Sequence, residues 1–223
     1  FALARAGCST SGDDDAVSLL TIIQDASRHC ALDMPQVAFG STDRAVSNLV
    51  EFATETAKEC ARRADWRVLT TAAAVSLSGA SVSLPADCDR LAQGASVVLA
   101  DGTPLRGGLS RSEWATLTTQ TGTPRYFMKD GGSLYIWPVP AAPVTATIRY
   151  ISTEWARSNA TPAVPSSDWM ADTDASVFPD ELLTMGVVWR QNRHVGKDYS
   201  DYMAQFEAML ADHVRIDGGM RTP

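Results

Sequence analysis

The first 65 residues show the spacing of two amphipathic helices. Apolar residues follow the three aspartates at 13–15, whose carboxylates suit the positive end of a helix dipole, so we predict a helix from about 15 to 32. It ends before Pro35, because the residue preceding a proline is pushed out of the α region. A second helix is predicted from position 42 or 43 to about Asp65. Its apolar stripe, at spacings of three and four, comprises Val46, Leu49, Val50, Ala53, Ala57, Cys60 and Ala64.

The middle of the chain changes to the alternating pattern of β-strands. Val75 and Leu77, then Val82 and Leu84, alternate with small or polar residues on either side of a turn at 78–80, which predicts a β-hairpin. Further strands are predicted at 95–99, 125–128, 134–137 and 146–151, with a short helix at 110–118.

The last 46 positions return to a helical pattern after an irregular stretch, 157–174, that is rich in Ser, Thr, Ala and Pro. Pro179 suits the first turn of a third helix, which is apolar on most sides until Arg190 and should therefore be central. A fourth helix is predicted from Asp198 to about Arg215. The fold class is thus α+β, a bundle of N- and C-terminal helices with an inserted antiparallel β domain. The predicted parts are 1–65, N-terminal helices; 66–156, β domain; 157–177, irregular loop; and 178–223, C-terminal helices and tail.

Charge and composition narrow the possible functions. The chain has 223 residues with 45% hydrophobic composition, enough to build a core without metal or disulfide, and a net charge of −7. A negative net charge does not neutralise the phosphates of nucleic acids, so tight nucleic-acid binding is not expected. A like-charged surface would instead let DNA pass without sticking. No run of 18 apolar residues occurs, and no membrane span is predicted.

No residue set in the sequence forms a recognisable catalytic, cofactor or metal motif. The four cysteines lie far apart without a C-x-x-C pair, which favours reduced thiols. The three histidines lack acidic or cysteine partners at ligand spacing. Carboxylates at Asp168, Asp172 and Asp174 lack the glycine and closing glutamate of a calcium loop and are interpreted as solvated. We therefore predict no catalytic residue, cofactor or metal, and no enzymatic activity.

The six tryptophans divide into two groups. Three lie where core residues are expected: Trp66, Trp137 and Trp189. The other three, Trp114, Trp155 and Trp169, lie in loop-rich stretches and are candidate interface aromatics, since aromatic residues are enriched at protein interfaces.

The order of several short motifs resembles a known family. Two N-terminal helices lead into Asp65-Trp66-Arg67-Val68-Leu69 and then Leu84-Pro85-Ala86-Asp87-Cys88-Asp89-Arg90. These are followed by Trp114, Gly122-Thr123-Pro124-Arg125-Tyr126-Phe127, Leu134-Tyr135-Ile136-Trp137-Pro138-Val139-Pro140, Tyr150, Phe178-Pro179-Asp180-Glu181-Leu182-Leu183, Asp198-Tyr199 and Tyr202. Over about residues 16–215 this series resembles the head-to-tail adaptor (connector) proteins of tailed bacteriophages, which include the tail-tubular A proteins.

The resemblance implies a structural subunit of the virion at the head–tail junction, assembled in the bacterial host cytoplasm. Members of this family form a dodecameric ring under the portal, receive downstream tail or nozzle proteins on the other side, and let DNA pass. The implied partners are thus further copies of the chain, the portal protein, tail proteins and DNA that is not bound specifically. The implied portal-docking tail is Ile216, Asp217, Gly218, Gly219, Met220, Arg221, Thr222 and Pro223.

Two alternatives from other classes stay open at this point. One is a tail-associated enzyme that cleaves glycans or peptidoglycan, which needs a pair of carboxylates on the β domain. The available carboxylates there are Asp87, Asp89, Asp101, Glu113 and Asp130. The other alternative is a monomeric ligand-binding module.

Overall fold

The computed structural model describes residues 17–217 except for positions 95, 119 and 161. The helices within these residues are α1 (Leu19–Cys30), α2 (Arg44–Arg63), α3 (Arg111–Ala115), α4 (Asp180–His194) and α5 (Ser200–Asp217). The strands are β1 (Thr70–Leu77), β2 (Ser81–Ser83), β3 (Cys88–Leu91), β4 (Val97–Leu99), β5 (Tyr126–Asp130), β6 (Ser133–Trp137), β7 (Val144–Ser152), β8 (Ala156–Arg157), β9 (Pro165–Ser166) and β10 (Ala175–Ser176).

The first two helices begin at polar side chains that cap them. The Ser18 hydroxyl accepts a hydrogen bond from the backbone N–H of Thr21, and the Asp43 carboxylate accepts one from the N–H of Ala45. Helix α1 therefore begins later than predicted, because Ser18 is still extended and forms a β-bridge with Ala175. The aspartates at 13–15 lie outside the described residues.

Helix α4 is the centre of the helical bundle. It packs against α1, α2 and α5, and most of its side chains are buried, including Leu182, Leu183, Val187 and Val188. The prediction of a central third helix is therefore confirmed, and the chain is α+β, with N- and C-terminal helices in one bundle and antiparallel strands inserted between them.

Helices α2 and α4 approach most closely where Thr56 faces Gly186. A Cβ atom added at Gly186 would lie 2.1 Å from Thr56 Cγ2, so only glycine fits without moving one helix. Glycine costs about 1 kcal/mol of helix propensity relative to alanine, and here it allows the close approach.

We expect Gly186→Ala to lower the free energy of unfolding by about 1 to 3 kcal/mol, as overpacking of a core does, in spite of the better helix propensity of alanine. Urea denaturation measures the change. The control is Thr56→Ser combined with Gly186→Ala, which removes the clashing methyl group and should recover part of the loss. An unchanged urea midpoint for the single variant would contradict the close contact.

The strands form a β-sandwich-like layer with its own core. Strand β7 lies in a four-stranded antiparallel sheet between β1 on one side and β3 and β4 on the other. A three-stranded antiparallel sheet, in the order β2-β6-β5, packs against it. The buried side chains between them are Leu77, Val97, Leu99, Leu105, Phe127, Leu134, Ile136, Ala146, Ile148 and Tyr150.

The predicted hairpin around 78–80 is wrong as a strand pair. The chain does turn there, but β1 pairs with β7 whereas β2 pairs with β6, so the turn carries the chain from one sheet to the other. The alternation of apolar and polar residues along a strand shows which residues face the core. It does not show which other strand is the hydrogen-bonded neighbour. The hairpin of β5 and β6 is present, with Phe127 opposite Ile136.

The stretch from 157 to 177 is more ordered than the sequence suggested. Strand β8 enters this stretch at Arg157 and forms a small antiparallel sheet with β9 and β10. One Asp172 carboxylate oxygen accepts hydrogen bonds from the backbone N–H groups of Ala38 (2.9 Å) and Phe39 (2.6 Å). Asp174 is buried and accepts from the N–H of Met170 at 2.6 Å. The interpretation of these two carboxylates as solvated is therefore wrong, because they hold backbone in place.

An arginine fastens the strands to the helical bundle. Arg90 of β3 donates to the Asp65 carboxylate at 2.8 Å and to the backbone carbonyls of Ala61 and Ala64 at the end of α2. Its side chain is mostly buried. A cation that binds the last carbonyls of a helix also complements the negative end of the helix dipole.

Candidate functional site

The C-terminal end of α5 combines an exposed apolar side chain with a fixed backbone. Ile216 is 75% exposed, the largest value among the exposed large apolar residues that the structure describes. The next residue, Asp217, accepts a hydrogen bond of 2.7 Å from the backbone N–H of Arg67, at the start of the short 3-10 helix that leads into β1. The end of α5 is thereby held at the junction of helices and strands. The remaining tail residues of the prediction, 218–223, lie outside the described residues.

Helix α5 is attached to the bundle by few side chains. Phe206 and Leu210 are the buried residues of this helix. Glu207 adds an ion pair to Arg63 of α2 at 2.9 Å, although both side chains are substantially exposed. Tyr199 and Tyr202 are half-buried against the core. The predicted apolar stripe is thus present, but Met203 on it is 40% exposed.

A buried arginine connects α4 to α2 beneath α5. Arg190 is 9% exposed and donates to the Thr56 hydroxyl at 2.9 Å and to the Gly186 carbonyl at 3.0 Å. It also forms an ion pair with Glu59, and its guanidinium lies 4.3 Å from the centre of the Trp189 ring. Sequence reasoning passed over this group. The signal was a charged residue directly after the mostly apolar run from Leu182 to Trp189.

Glu59 lies between two arginines, which sets its charge. Burial acts to raise the pKa of Glu59, but hydrogen bonds and charges from Arg63 and Arg190 outweigh it and lower the pKa below its ordinary value. Glu59 therefore stays ionised, and the alternating charges of Arg190, Glu59, Arg63 and Glu207 link α4, α2 and α5.

The connection between α1 and α2 presents a second exposed apolar surface. Met34, Val37 and Phe39 are 48%, 54% and 42% exposed. Their loop is nonetheless fixed, since Gln24 of α1 donates to the Pro35 carbonyl at 2.9 Å and Asp172 holds the backbone further along. An ordered loop with exposed apolar side chains is a candidate contact surface for another protein. No periodic pattern in the sequence signals this surface.

The three candidate interface tryptophans have different surroundings. Trp114 is half-buried on α3, whose capping box joins Ser110 and Glu113, and stays a candidate for contacts. Trp155 and Trp169 are 2% and 3% exposed and pack against each other edge to face, with ring centres 4.9 Å apart. This burial corrects the expectation for Trp155 and Trp169, because their rings fill the subunit's own core and present no surface to a partner.

The carboxylates considered for glycan cleavage each have a local partner. Asp87 accepts hydrogen bonds from the hydroxyls of Tyr150 (3.0 Å) and Ser152 (2.8 Å), and burial together with Asp87 raises the pKa of Tyr150 to about 12. The other four bind neighbouring groups: Asp89 binds Arg90, Asp101 binds the N–H of Thr103, Glu113 binds Ser110, and Asp130 binds Arg111. These contacts fix turns and strand ends.

The described part of the chain contains no group of three or more His, Cys, Asp or Glu side chains that could hold a metal ion. Burial raises the pKa of the Cys60 thiol to about 12, which keeps this side chain protonated in the core of the bundle. His194 contacts Phe52 edge to face, with ring centres 5.7 Å apart.

Within residues 17–217, no helix is long and apolar enough to cross a membrane.

These features define a mixed α+β protein whose buried Arg190 and loop carboxylates bind other groups of the chain, and whose exposed apolar residues include a fixed loop and a helix end. The comparison with protein families gives the particular class. The family model described as SU10 adaptor protein matches residues 17–223, and the chain belongs to this family. It is thus a bacteriophage adaptor, a structural component of the virion. No curated protein matches the chain significantly.

Proposed function

We propose that this adaptor forms a ring, of twelve copies as in the tail-tubular A proteins, that joins the phage portal to the tail and lets DNA pass. Membership of the SU10 adaptor family is the observation that carries the proposal. A ring arises when two different faces of one subunit meet on successive copies and the rotation closes. Such an assembly needs contact surfaces and no catalytic group.

The charge of the subunit supports DNA passage. The chain carries a net charge of −7. A channel lined by such subunits repels the phosphate backbone, so DNA can move through it without forming the ion pairs that retard it.

The position of the end of α5 supports a docking role for the segment 216–223. Asp217 accepts a hydrogen bond from the N–H of Arg67, so the last described residue is held at a defined place beside the exposed Ile216. A short segment gives weak binding by itself, but a ring repeats the contact in every copy, and the combined avidity makes the attachment firm.

Deleting residues 218–223 tests this docking role. The deletion keeps the Asp217 contact, so we expect circular dichroism and the melting temperature to be unchanged. Co-sedimentation with portal-containing heads that lack the adaptor should fall at least tenfold. Ile216→Ser should weaken it as well, whereas the control Val164→Ser, at a site 59% exposed in the 157–177 stretch, should not.

Undiminished co-sedimentation of the truncated protein would contradict the docking role of the tail. The contact with the portal would then lie on the helices, the loop of Met34, Val37 and Phe39, or the β layer. Failure of the full-length protein to co-sediment would contradict the proposed function itself.

A further inference from the structure

Strand β1 lies at one edge of the four-stranded sheet, and no described residue pairs with its outer side. The backbone N–H of Arg149 in β7 donates to Ser96 and its carbonyl accepts from Ala92, so both groups point away from β1. Ala72 lies opposite Arg149 in the β1–β7 register. In an antiparallel pair, the partner of such a residue also points its backbone groups outward. Ala72, and by alternation Ala74 and Ser76, therefore direct their N–H and C=O groups to the open edge.

The other long sheet edges within the described residues are covered. Strand β4 is covered by the chain at 103–105, with the N–H of Leu105 donating to Val97 at 2.9 Å. Strand β5 is covered at Arg106, whose carbonyl accepts from Phe127 at 2.9 Å. Strand β3 carries charged side chains, and the Lys129 ammonium donates a hydrogen bond of 2.6 Å to the backbone carbonyl of Asp89 in this strand. Strand β2 has only 3 residues.

The composition of β1 is that of a strand suited to pairing. Its 8 residues, Thr-Thr-Ala-Ala-Ala-Val-Ser-Leu, include no charge, proline or glycine. Ala72, Ala74 and Ser76 are exposed and small, so a neighbouring strand could approach without steric hindrance. Proteins usually protect such an edge with lysine, proline, a bulge or a short strand, because open backbone groups bind another chain. Strand β1 has none of these protections.

We infer that two copies of the chain pair through β1, antiparallel and related by a two-fold axis, and so join their two four-stranded sheets into one. Full pairing needs a second open edge of the same length, and among the described strands β1 of another copy provides it. The three outward residues are all matched when Ala74 faces Ala74 of the second copy, since Ala72 then faces Ser76. Each such pair exchanges two backbone hydrogen bonds.

The lack of charged residues on β1 limits the repulsion between two copies along this strand. Each copy carries a net charge of −7, so two copies repel over most of their surface and approach best along an uncharged strip such as β1. A basic foreign partner would be drawn to the acidic surface instead.

The pair differs from the proposed ring and does not depend on it. A two-fold axis places its two copies in opposite directions, whereas a ring attached to the portal by one face needs every copy in the same direction. The β1 pair is therefore a form of the free subunit.

Sedimentation velocity of the full chain without portal, over a concentration series, tests the pairing. We expect a monomer–dimer equilibrium for the unmodified protein. Ala74→Pro removes an outward N–H without touching the bonds to β7, and proline is tolerated at such edge positions. Ala74→Lys places a charge where the two copies meet. Both variants should raise the dissociation constant of the dimer at least tenfold.

Thr147→Lys is the matched control, because Thr147 lies opposite Ala74 on the same exposed face but one strand in from the edge. This variant should dimerise like the unmodified protein. Amide hydrogen exchange gives a second readout: the N–H groups of Ala72, Ala74 and Ser76 should become protected as dimer forms. Circular dichroism checks folding, and Ala74→Lys decides the test if Ala74→Pro does not fold.

Three results would overturn the inference. The unmodified protein could stay monomeric at every concentration, or Ala74→Lys could dimerise as strongly as Thr147→Lys. The unmodified protein could also form a ladder of larger species without a dimer, which indicates a head-to-tail contact.

Discussion

Replacing Phe206 with alanine should lower the free energy of unfolding by about 3 to 5 kcal/mol, the usual range for truncation of a buried aromatic side chain. Phe206 is 0% exposed, and its ring lies 6.4 Å from the ring of Trp189. The Arg190 guanidinium lies 6.0 Å from the centre of the Phe206 ring. Because α5 has only two buried side chains, the cavity falls on the contact that attaches this helix to the bundle.

Urea denaturation followed by circular dichroism measures this loss. Met203→Ala is the control on the same helix, since Met203 is 40% exposed and its truncation should cost much less. Equal midpoints for Phe206→Ala and the unmodified protein would mean that α5 does not share the core of the N-terminal helices.

Arg190→Met should destabilise the protein by about 2 to 4 kcal/mol, near the lower end of the range for breaking a buried ion pair. Methionine keeps the length and the apolar stem but removes the hydrogen bonds to Thr56 and Gly186 and the ion pair with Glu59. The loss is moderated because Glu59 keeps Arg63 as a partner. Arg28→Met is the control, as the Arg28–Asp25 pair is exposed and should contribute little.

The effect of Arg190→Met should depend on pH. The pKa of Glu59 is lowered in the folded state, so its stabilising contribution is complete above its ordinary pKa of about 4.3 and is lost as the pH falls through the folded value. The difference in stability between the variant and the unmodified protein should therefore shrink at acid pH. A difference that stays constant from neutral to strongly acid pH would contradict the pairing of Glu59 with Arg190.

Periodic patterns predicted the elements well, because they report which face of each element is buried. The stripe from Val46 to Ala64 and the largely apolar surface of α4 both predicted helices that the structure contains. The short capped helix around Trp114 was also predicted.

Partners distant in the sequence could not be predicted in the same way. Leu77 and Val82 signal two strands, but the choice of β7 and β6 as their partners depends on packing between sheets. Asp172 acts on Ala38 and Phe39, which are more than 130 positions away in the sequence. Such a long-range bond leaves no local pattern.

The candidate site shows the same limit. Trp155 and Trp169 looked like loop residues because their neighbours are polar, yet they pack edge to face against each other within the core. Arg190 was visible as a charged residue directly after the mostly apolar run from Leu182 to Trp189, but its partner Glu59 lies on α2, far away in sequence. Exposed apolar residues in loops, such as Met34 and Phe39, become informative only when the structure shows that they are not covered.

Electron microscopy of portal-containing phage heads incubated with the purified protein is the most direct test of the proposed ring. We expect a closed ring of copies on the portal, all in the same orientation, with an open channel along the axis. Heads without added density at the portal, or with single copies that form no closed ring, would contradict it.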